Sequence, residues 1–414
     1  MSSVVDVRVP AHGLRPVEEI VASIVSAERL RPFDPILIDF VAEFALRLSR
    51  AARGYAELQA LAFWMRRAEV TRLGADFASL ATGRTRLMPR GIVLHVPPAN
   101  VDTIFIYSWL LSLLTGNRCI VRLSSRSTDQ TDLIVGVIVD ILREERFSAV
   151  ASSTAMVRYG HDETITSALS AACDLRVIWG GDATVATIRR SPLPPHASDL
   201  TFPDRVSLAV FDAEQVAMLD EVELAALAER FYNDAYWFNQ LGCSSPRSVI
   251  WVGAERVART AADRFFPALH SVTKRKGLIV EPGTAIAKLT DGYGLAITGE
   301  AIRVQAIGSQ VLVIDDRHLG PLPVTFPGAG TFHTARVDDL VDLLPFITRR
   351  HQTLSHFGFD ATRLSLLADV LLGAGIDRFV PVGDALTFNR YWDGYDLLQS
   401  FTRRVYIDSG RDDA

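Results

Sequence analysis

The feature that most constrains this chain of 414 residues is an alternation of predicted strands and helices that begins at Gly91. Short, near-continuously apolar runs alternate with longer segments of helical period, which predicts a parallel sheet covered by helices on both faces. The predicted strands are Ile92–Val96, Arg118–Arg122, Ala155–Tyr159 and Leu175–Trp179, and the predicted helices are Val101–Thr115, Asp129–Arg143, Asp162–Ala171 and Ala183–Arg190.

The flanking sequence predicts further domains, because a chain of this length exceeds one ordinary hydrophobic core. A proline-rich connection at 191–196 separates the first α/β region from a second one, and we predict domains at 1–203, 204–385 and 386–414, the last returning to the first. The predicted elements outside the first region are helices at Val17–Ala27, Pro35–Arg50, Tyr55–Leu73, Glu221–Phe238, Ala254–Phe265 and Val337–Arg349, and strands at Val206–Phe211, Ser248–Val252, Leu278–Glu281, Ala301–Ile307, Val311–Ile314, Phe379–Val382 and Arg404–Ile407.

Charge and cysteine content exclude several classes of protein. A net charge of −5 without a basic stripe argues against a nucleic-acid partner. Three cysteines are too few for a disulfide framework and fit a reducing compartment, so we predict a cytoplasmic protein. The longest apolar run, Thr103–Leu114, is too short to span a bilayer, so no integral membrane segment is predicted. The nearest histidine pair, His351 and His356, does not have metal-ligand spacing on a helix, and we predict no metal site.

Ligands bind at the carboxyl ends of the strands in a parallel sheet, so the turns that follow the strands are candidate sites. Asn100 lies in the turn after the first predicted strand. An amide donor there suits a developing oxyanion, since it donates a hydrogen bond without exchanging its proton. Asparagine also favours the N-cap of a helix, which is the alternative role of Asn100.

Two further turns have features of a nucleotide site. Arg122 and Ser124 follow the second strand, where a guanidinium and a hydroxyl suit a phosphorylated ribose and the arginine suits a 2′-phosphate. The alternative for Arg122 is an ion pair with a surface carboxylate. Gly180 and Gly181 precede a predicted helix, whose N-terminus suits a phosphate, whereas Asp182 is the natural N-cap and would repel one.

Cys243 lies after a long predicted helix and before a strand, in the segment Asn239-Gln240-Leu241-Gly242-Cys243-Ser244-Ser245-Pro246-Arg247. A thiol among small residues after a glycine is a candidate nucleophile, and a half-buried core cysteine is the alternative. The glycine-rich dinucleotide fingerprint, the P-loop and the nucleophile elbow are all absent from the sequence. Few protein families combine a nucleotide site that lacks these motifs with a cysteine in a second α/β domain.

The cysteine segment resembles the catalytic segment of the aldehyde dehydrogenase superfamily. Together with 179–182 and 392–395, it resembles more closely the acyl-CoA reductase family, typified by the reductase component of the bacterial bioluminescence fatty-acid reductase complex. The resemblance runs from about residue 89 to the end. It implies an aldehyde-dehydrogenase-like α/β fold with a parallel-sheet nucleotide-binding domain and a second α/β domain that carries the cysteine.

The resemblance also implies roles for individual residues. Residues 98–100 resemble the superfamily turn whose asparagine helps to form the oxyanion hole. Residues 121–124 resemble the segment that contacts the adenosine ribose, with arginine in place of lysine, which is compatible with NADPH. The implied catalytic residues are Cys243 and Asn100, and the implied cofactor-binding residues are Pro98, Arg122, Ser124, Gly180 and Gly181.

One departure from the superfamily bears on the reaction. Thr201 falls where ordinary aldehyde dehydrogenases carry a glutamate base, and Asp204 is the nearby carboxylate that would have to replace it. Without a base to activate water, an acyl-enzyme resists hydrolysis and exchanges with a thiol instead. The short link at 82–91 also leaves little room for the oligomerisation hairpin of many relatives, so their tetramer is not assumed and the oligomeric state stays open.

Together with the resemblance, these features predict NADPH-dependent reduction of an acyl thioester to a fatty aldehyde through a Cys243 acyl-enzyme. The thioester is carried by CoA or a carrier protein, and an acyl-transferring protein is a candidate partner. Two alternatives stay open. One is an aldehyde dehydrogenase that oxidises an aldehyde to the acid, and the other is a non-catalytic subunit that binds an acyl chain.

Overall fold

The computed structural model describes residues 3–10, 13–98, 104–125, 127–320 and 326–408. The chain forms two compact units. Unit 1 comprises Met1–Pro203 and Phe388–Ala414, and unit 2 comprises Asp204–Thr387.

Unit 1 begins with a strand pair and four helices and then enters the predicted alternation. Its elements up to Pro203 are β1 (Val4–Val9), β2 (Gly13–Pro16), α1 (Val17–Ser26), α2 (Pro35–Ala51), α3 (Ala56–Trp64), α4 (Arg67–Ser79), β3 (Thr85–Pro89), β4 (Ile92–Val96), α5 (Ile104–Leu114), β5 (Arg118–Leu123), α6 (Asp129–Leu142), α7 (Ser148–Ser152), β6 (Thr154–Arg158), α8 (Glu163–Ala171), β7 (Leu175–Trp179), α9 (Asp182–Arg189) and β8 (Ser198–Phe202).

The main sheet of unit 1 has seven strands in the order β2-β1-β6-β5-β4-β7-β8. The strands from β4 to β8 are mutually parallel, as the alternation predicts, and β1 and β2 extend the sheet in antiparallel fashion. The chain enters the parallel set at β4, adds β5 and β6 on one side and then β7 and β8 on the other. This order places a topological switch point at β4, where sheets of this class bind their ligands.

Unit 2 is a second α/β layer structure. Its elements are β9 (Val206–Asp212), α10 (Ala213–Met218), α11 (Glu221–Tyr236), β10 (Pro246–Val252), α12 (Glu255–Arg275), α13 (Pro282–Thr298), β11 (Ala301–Ile307), β12 (Val311–Asp316), β13 (Thr331–Val337), β14 (His351–Phe357), α14 (Ala361–Leu371) and β15 (Arg378–Pro381).

The sheet of unit 2 also has seven strands, in the order β11-β12-β13-β10-β9-β14-β15. All neighbours are parallel except β11, an edge strand that runs antiparallel to β12. One face packs against α11 and α12 through a buried aromatic cluster that includes Phe211, Phe231, Trp251, Phe265 and Phe332. The sheet therefore provides a rigid support for the residues at its strand ends.

The C-terminal segment packs within unit 1. It contains β16 (Tyr391–Trp392), β17 (Tyr395–Asp396), α15 (Leu397–Ser400) and β18 (Thr402–Tyr406), and β18 pairs with β3. The rings of Phe388 and Trp392 lie against Tyr107, with centroids 5.4 and 5.6 Å away. Aromatic residues of this segment therefore form core contacts with α5.

The structure corrects three of the predicted elements. The predicted helix Tyr55–Leu73 is two helices, because the chain breaks at Met65 and Arg66. The predicted strand Leu278–Glu281 joins no sheet and leads into α13, which the sequence did not predict. The predicted helix Val337–Arg349 is only the 3-10 turn Leu340–Leu343.

Two broader properties follow from the described ranges. No helix there is both long and apolar enough to cross a bilayer. No group of three or more His, Cys, Asp or Glu side chains in the described part of the chain is arranged to hold a metal ion.

Candidate active site

The predicted nucleotide-binding residues of unit 1 lie at one edge of its sheet. Pro98 follows β4, Ser124 follows β5 with Arg122 at its end, and Gly180 and Gly181 follow β7. Since β5, β4 and β7 are adjacent and parallel, their carboxyl ends meet at the switch point. The fold therefore brings these residues to the edge where a nucleotide would be expected. Asn100 lies outside the described residues.

Arg122 lies on an aromatic surface at this edge. Its Nη2 donates a hydrogen bond to the Gly160 carbonyl at 3.2 Å, and its guanidinium carbon lies 4.8 Å from the centre of the Tyr159 ring. The described contacts of Arg122 are with a carbonyl and a ring, not with the surface carboxylate of the alternative interpretation. A stacked, half-buried guanidinium keeps donor groups for an anion. Tyr159 was not singled out by the sequence, because an aromatic residue at a strand end usually serves as core.

The turn after β7 allows close approach of the backbone. The Gly180 N–H donates to the Phe202 carbonyl at 3.1 Å, and a Cβ at this position would lie 3.2 Å from Thr184 Cγ2. A Cβ on Gly181 would meet no atom within 4 Å, so that face of the turn is open. Gly181 is the N-cap of α9, and Asp182 is its first helical residue, which corrects the predicted cap. The first N–H groups of α9 therefore begin beside an open glycine surface, as phosphate sites require.

A buried polar group lies behind the same strands. His95 Nδ1 and Trp179 Nε1 both hydrogen bond to Ser108 Oγ, at 2.8 and 3.3 Å. Burial lowers the pKa of His95 to about 3. The imidazole is therefore neutral at physiological pH and serves the core, not proton transfer.

In unit 2, the cysteine segment leaves α11 through an unusual turn. A 3-10 turn, Trp237–Gln240, follows the helix, and Phe238, Asn239 and Gln240 have φ values of 53°, 55° and 64°. Left-handed backbone costs an L-residue roughly 1–2 kcal/mol, so three in succession need strong compensating contacts. The strained residues end three positions before the half-buried Cys243.

The Gln240 side chain supplies four of these contacts. Its Nε2 donates to the carbonyls of Pro246 and Thr331 at 2.9 and 2.8 Å, and its Oε1 accepts from the N–H groups of Gly330 and Thr331 at 2.8 and 3.0 Å. The Asn239 carbonyl accepts a further bond from Ala329 N at 3.0 Å. Gln240 is completely buried and joins both ends of the cysteine turn to the turn 328–331.

The backbone on the other side of the thiol is held by two serines. Ser207 Oγ on β9 donates to the Cys243 carbonyl at 2.7 Å and accepts from Thr353 N at 3.2 Å. Ser244 Oγ donates to Gln352 Oε1 at 3.0 Å. The turn is thus tied to β9 and β14 as well as to the loop before β13, and the backbone of Cys243 has one defined position.

A cation, Arg247, lies within electrostatic reach of the thiol in unit 2. Burial lowers the pKa of the Arg247 guanidinium, and the carboxylate of Asp204 and the thiolate form of Cys243 oppose that shift. Arg247 also stacks on Phe326, with its guanidinium carbon 4.6 Å from the ring centre. A cation within electrostatic reach stabilises a thiolate. Arg247 is therefore a site residue that the sequence analysis quoted in the segment but gave no role.

Cys119 and Cys173 provide an internal comparison for Cys243. Both are at most 1% exposed, and burial raises the pKa of each thiol to about 12. Cys119 contacts Ser112 and Cys173 contacts the Ser170 carbonyl, as expected for structural cysteines. Among the three cysteines, only Cys243 combines partial exposure with a nearby cation.

The two residues considered for a general base lie in different settings. Thr201 is a half-buried residue of β8, and Arg189 approaches its hydroxyl at 3.5 Å. Asp204 is exposed and forms an ion pair with Arg350 at 3.0 Å. A hydroxyl of ordinary acidity is a poor base, and an ion-paired carboxylate is a weaker one than a carboxylate in an apolar pocket.

Solved structures establish the class of fold. A Mycobacterium tuberculosis aldehyde dehydrogenase complexed with NAD+ superposes with a TM-score of 0.66 at 14% identity and covers 98% of this chain and 95% of its own. An NADP-dependent glyceraldehyde-3-phosphate dehydrogenase from Bacillus halodurans, complexed with NADP, gives a TM-score of 0.62 at 15% identity and covers 99% and 96%. The chain has the aldehyde dehydrogenase fold, which confirms the predicted fold class.

Sequence comparison specifies the family within this class. Residues 75–275, which include Arg122, the glycine turn and Cys243, match the family model described as acyl-CoA reductase (LuxC). A long-chain acyl-protein thioester reductase of Aliivibrio fischeri is 23% identical over 308 residues, covering 72% of this chain and 59% of the relative. Over these residues the chain is similar to the acyl-CoA reductase family, in agreement with the resemblance drawn from the sequence. The match spans less than two thirds of the relative's length.

Proposed function

We propose that this protein reduces a fatty acyl thioester to the aldehyde, with NADPH as reductant and Cys243 as the nucleophile. In this proposal, unit 1 binds the nucleotide and unit 2 carries the thiol. The observation that carries the proposal is the strained turn 238–240, which fixes a half-buried cysteine beside Arg247 within a segment of the acyl-CoA reductase family. Strain of this kind accumulates at functional sites, whereas a core cysteine needs none.

The first half of the reaction follows from the residues around Cys243. The thiolate attacks the thioester carbonyl, the Cys243 N–H donates to the oxyanion, and the carrier thiol leaves. Asn100, which lies outside the described residues, is the second oxyanion donor that the family resemblance implies. Arg247 stabilises the thiolate before attack. The bonds from Ser207 and Gln240 hold the backbone of the turn, so that the N–H keeps its direction.

The cofactor site is proposed at the switch-point edge of unit 1. Pro98, Gly180 and Gly181 would contact the pyrophosphate region, and Arg122 and Ser124 the adenosine ribose with its 2′-phosphate. The open face of Gly181 and the stacking of Arg122 on Tyr159 fit this role. When bound, NADPH supplies the hydride that reduces the acyl group, and Cys243 is released as the resulting thiohemiacetal collapses to the aldehyde.

Thr201 sets the direction of the proposed reaction. A glutamate at this position would activate water and favour the acid as product, whereas a hydroxyl leaves the acyl-enzyme intact for reduction. The related protein from Aliivibrio fischeri is named for a long-chain acyl-protein thioester, and we propose a long acyl group as substrate here also. Both CoA and a carrier protein supply the thioester chemistry that this thiol requires.

The central test is the intact mass of the protein after incubation with a series of acyl thioesters in the absence of NADPH. We expect one acyl adduct per chain, located on Cys243, that is lost when NADPH is added and aldehyde appears. Cys243→Ala should form no adduct and no aldehyde while retaining NADPH binding. Aldehyde production by Cys243→Ala would contradict the proposal, and an adduct on a different residue would relocate the nucleophile.

The cofactor preference rests on Arg122 and has its own test. Replacement by leucine removes the cation at the end of β5, so the KM for NADPH should rise by about tenfold or more while that for NADH changes little. Arg158, at the end of β6 and engaged with Ser127 and Asp132, offers a matched control in which we expect a smaller effect. Equal losses with both cofactors would remove the basis for NADPH.

A hydrolytic aldehyde dehydrogenase is the second candidate because Asp204 lies within electrostatic reach of Arg247 in unit 2. This candidate requires that aldehyde and NADP+ turn over without added CoA and that Asp204→Asn abolishes the turnover. We expect no turnover of aldehyde and NADP+ without a thiol acceptor, since the carboxylate that would have to activate water is exposed and paired with Arg350.

A further inference from the structure

Helix α13 presents its apolar side chains to solvent. Ile286, Leu289, Tyr293 and Ile297 are 66%, 37%, 52% and 87% exposed, and they recur at helical spacing along one face. The buried residues of this helix are Lys288 and Gly292. An ordinary surface helix buries its apolar side chains, whereas α13 exposes these four and buries a lysine. We call the four exposed side chains the α13 stripe.

The inward face of α13 is fixed by specific contacts, so the helix cannot rotate to bury the stripe. Lys288 Nζ donates to the carbonyls of Ser309 and Ala329, at 2.8 and 2.5 Å. A Cβ added to Gly292 would lie 3.1 Å from Val304 Cγ1 and 3.2 Å from Leu312 Cδ2, so the backbone packs directly on β11 and β12. A half-turn rotation would expose this packing and leave the two carbonyls without the ammonium.

The stripe also lacks charge. The ammonium and carboxylate side chains of α13 are Lys288 and Asp291, and neither lies on the exposed face, since Asp291 has a buried Oδ2. Ile302, 64% exposed on the edge strand β11, lies on the same sheet face as Val304, which α13 covers. A contiguous uncharged apolar surface on a folded protein marks an interaction site.

We propose that the α13 stripe is the contact between two copies of this chain, packed antiparallel about a two-fold axis. In a two-fold contact, the same surface meets itself, so every charge on it would meet its like. The absence of charge makes the stripe complementary to itself. The stripe is also symmetric along the helix. The midpoint between Ile286 and Ile297 lies within half a residue of the midpoint between Leu289 and Tyr293.

This symmetry sets the register of the contact. Ile286 packs against Ile297 of the partner subunit, and Leu289 packs against Tyr293 of the partner subunit. Each of the five exposed side chains, including Ile302, contributes on the order of 100 Å² of apolar surface, so two copies together bury about 1,000 Å². That area is at the lower limit for a specific interface, and the expected dimer is a weak one that depends on concentration.

The test uses sedimentation equilibrium on the full chain at micromolar concentrations, with two double variants that add the same number of charges. Ile286→Lys with Ile297→Lys places like charges opposite each other, whereas Ile286→Lys with Ile297→Glu places opposite charges there. We expect the average mass of the wild-type chain to rise with concentration from 45.5 kDa towards twice that value. The first variant should associate roughly tenfold or more weakly, and the second should retain most of the dimer.

A matched control is Val222→Lys with Leu366→Lys, which charges exposed apolar residues on other helices, 78% and 56% exposed, and should leave association unchanged. Circular dichroism establishes that each variant is folded. A wild-type chain that stays at 45.5 kDa would overturn the proposal and leave the stripe to a different protein. Dimers in both charge variants would exclude the stripe, and monomers in both would exclude the antiparallel register. None of these outcomes depends on the proposed enzymatic function.

Discussion

Gln240 offers the sharpest test of how the fold positions the thiol. Substitution by methionine keeps the length of the side chain and removes its hydrogen-bonding groups. Four backbone groups then lose a hydrogen bond, namely the carbonyls of Pro246 and Thr331 and the N–H groups of Gly330 and Thr331. The Thr331 N–H keeps its second bond, to the Gly328 carbonyl at 3.1 Å. The substitution leaves the three left-handed residues without their main support.

The expected cost follows from the number of bonds. A neutral hydrogen bond contributes about 1 kcal/mol net, so four bonds that act as one unit contribute about 3 kcal/mol after allowance for relaxation. The chain has two units, and a single global free energy of unfolding is not the right measure. The local opening of the turn 328–331 is the appropriate quantity, because its amides are the direct partners of Gln240.

Amide hydrogen exchange followed by mass spectrometry measures that opening. A loss of about 3 kcal/mol corresponds to exchange that is roughly a hundredfold faster at Gly330 and Thr331. The acylation rate of Cys243 should fall in parallel, since the turn no longer holds one geometry.

Gln59→Met is the matched control, because Gln59 makes an equivalent amide bond to the Ser49 carbonyl at 2.8 Å within unit 1. That variant should leave exchange at 328–331 unchanged. The reasoning would be refuted if Gln240→Met exchanged these amides at the wild-type rate, or if the amides opened and acylation of Cys243 stayed at full rate.

Three further outcomes are expected. Iodoacetamide at neutral pH should modify Cys243 alone in the folded protein, because burial raises the pKa of Cys119 and Cys173 to about 12; peptide mapping that finds either of them modified would contradict this. Arg247→Met should slow that alkylation several-fold at neutral pH, since the thiolate loses its cation, and an unchanged rate would remove Arg247 from the site. Burial raises the pKa of Asp234 to about 7, so its contribution to stability is present at low pH and is lost as pH rises through about 7. The melting temperature of the wild type should therefore fall as pH rises towards about 7, and that of Asp234→Asn should lack this contribution. Identical pH profiles for the two proteins would show that the Asp234 carboxyl does not titrate in this range.

Local pattern was sufficient to predict the first sheet. The runs Ile92–Val96 and Leu175–Trp179 are strands at the predicted bounds, because a run of five residues between turns with four apolar members is typical of a buried strand in a parallel sheet. Arg122 and Gly180 could be placed at one edge for the same reason, since parallel strands carry their carboxyl ends to the same side. The predicted roles of these residues depend on chemistry that the fold alone does not supply.

The errors have equally specific causes. Helix α13 contains Gly283, Gly292 and Gly294 and points its apolar residues outward, so neither its composition nor an inward-facing pattern indicated a core helix. Gly292 is needed there for close packing on β11 and β12, which is a tertiary constraint. The contact between Gln240 and Thr331 joins residues 91 positions apart, and no local signal in either segment predicts it.

The geometry around Cys243 depends on a second left-handed turn. Gly328, Ala329 and Gly330 have φ values of 67°, 49° and 79°, which parallels the turn 238–240. A Cβ at Gly328 would lie 2.5 Å from the Asn239 carbonyl oxygen, so only glycine allows the two turns to approach. The two turns bond to each other. The Asn239 carbonyl accepts from Ala329 N, and Gln240 Oε1 accepts from the N–H groups of Gly330 and Thr331. The cost of the left-handed residues is therefore offset only when both turns are in place, which makes the position of the thiol cooperative. A substitution at Gly328, which has no contact with substrate in this proposal, should then displace the nucleophile as effectively as one at Gln240.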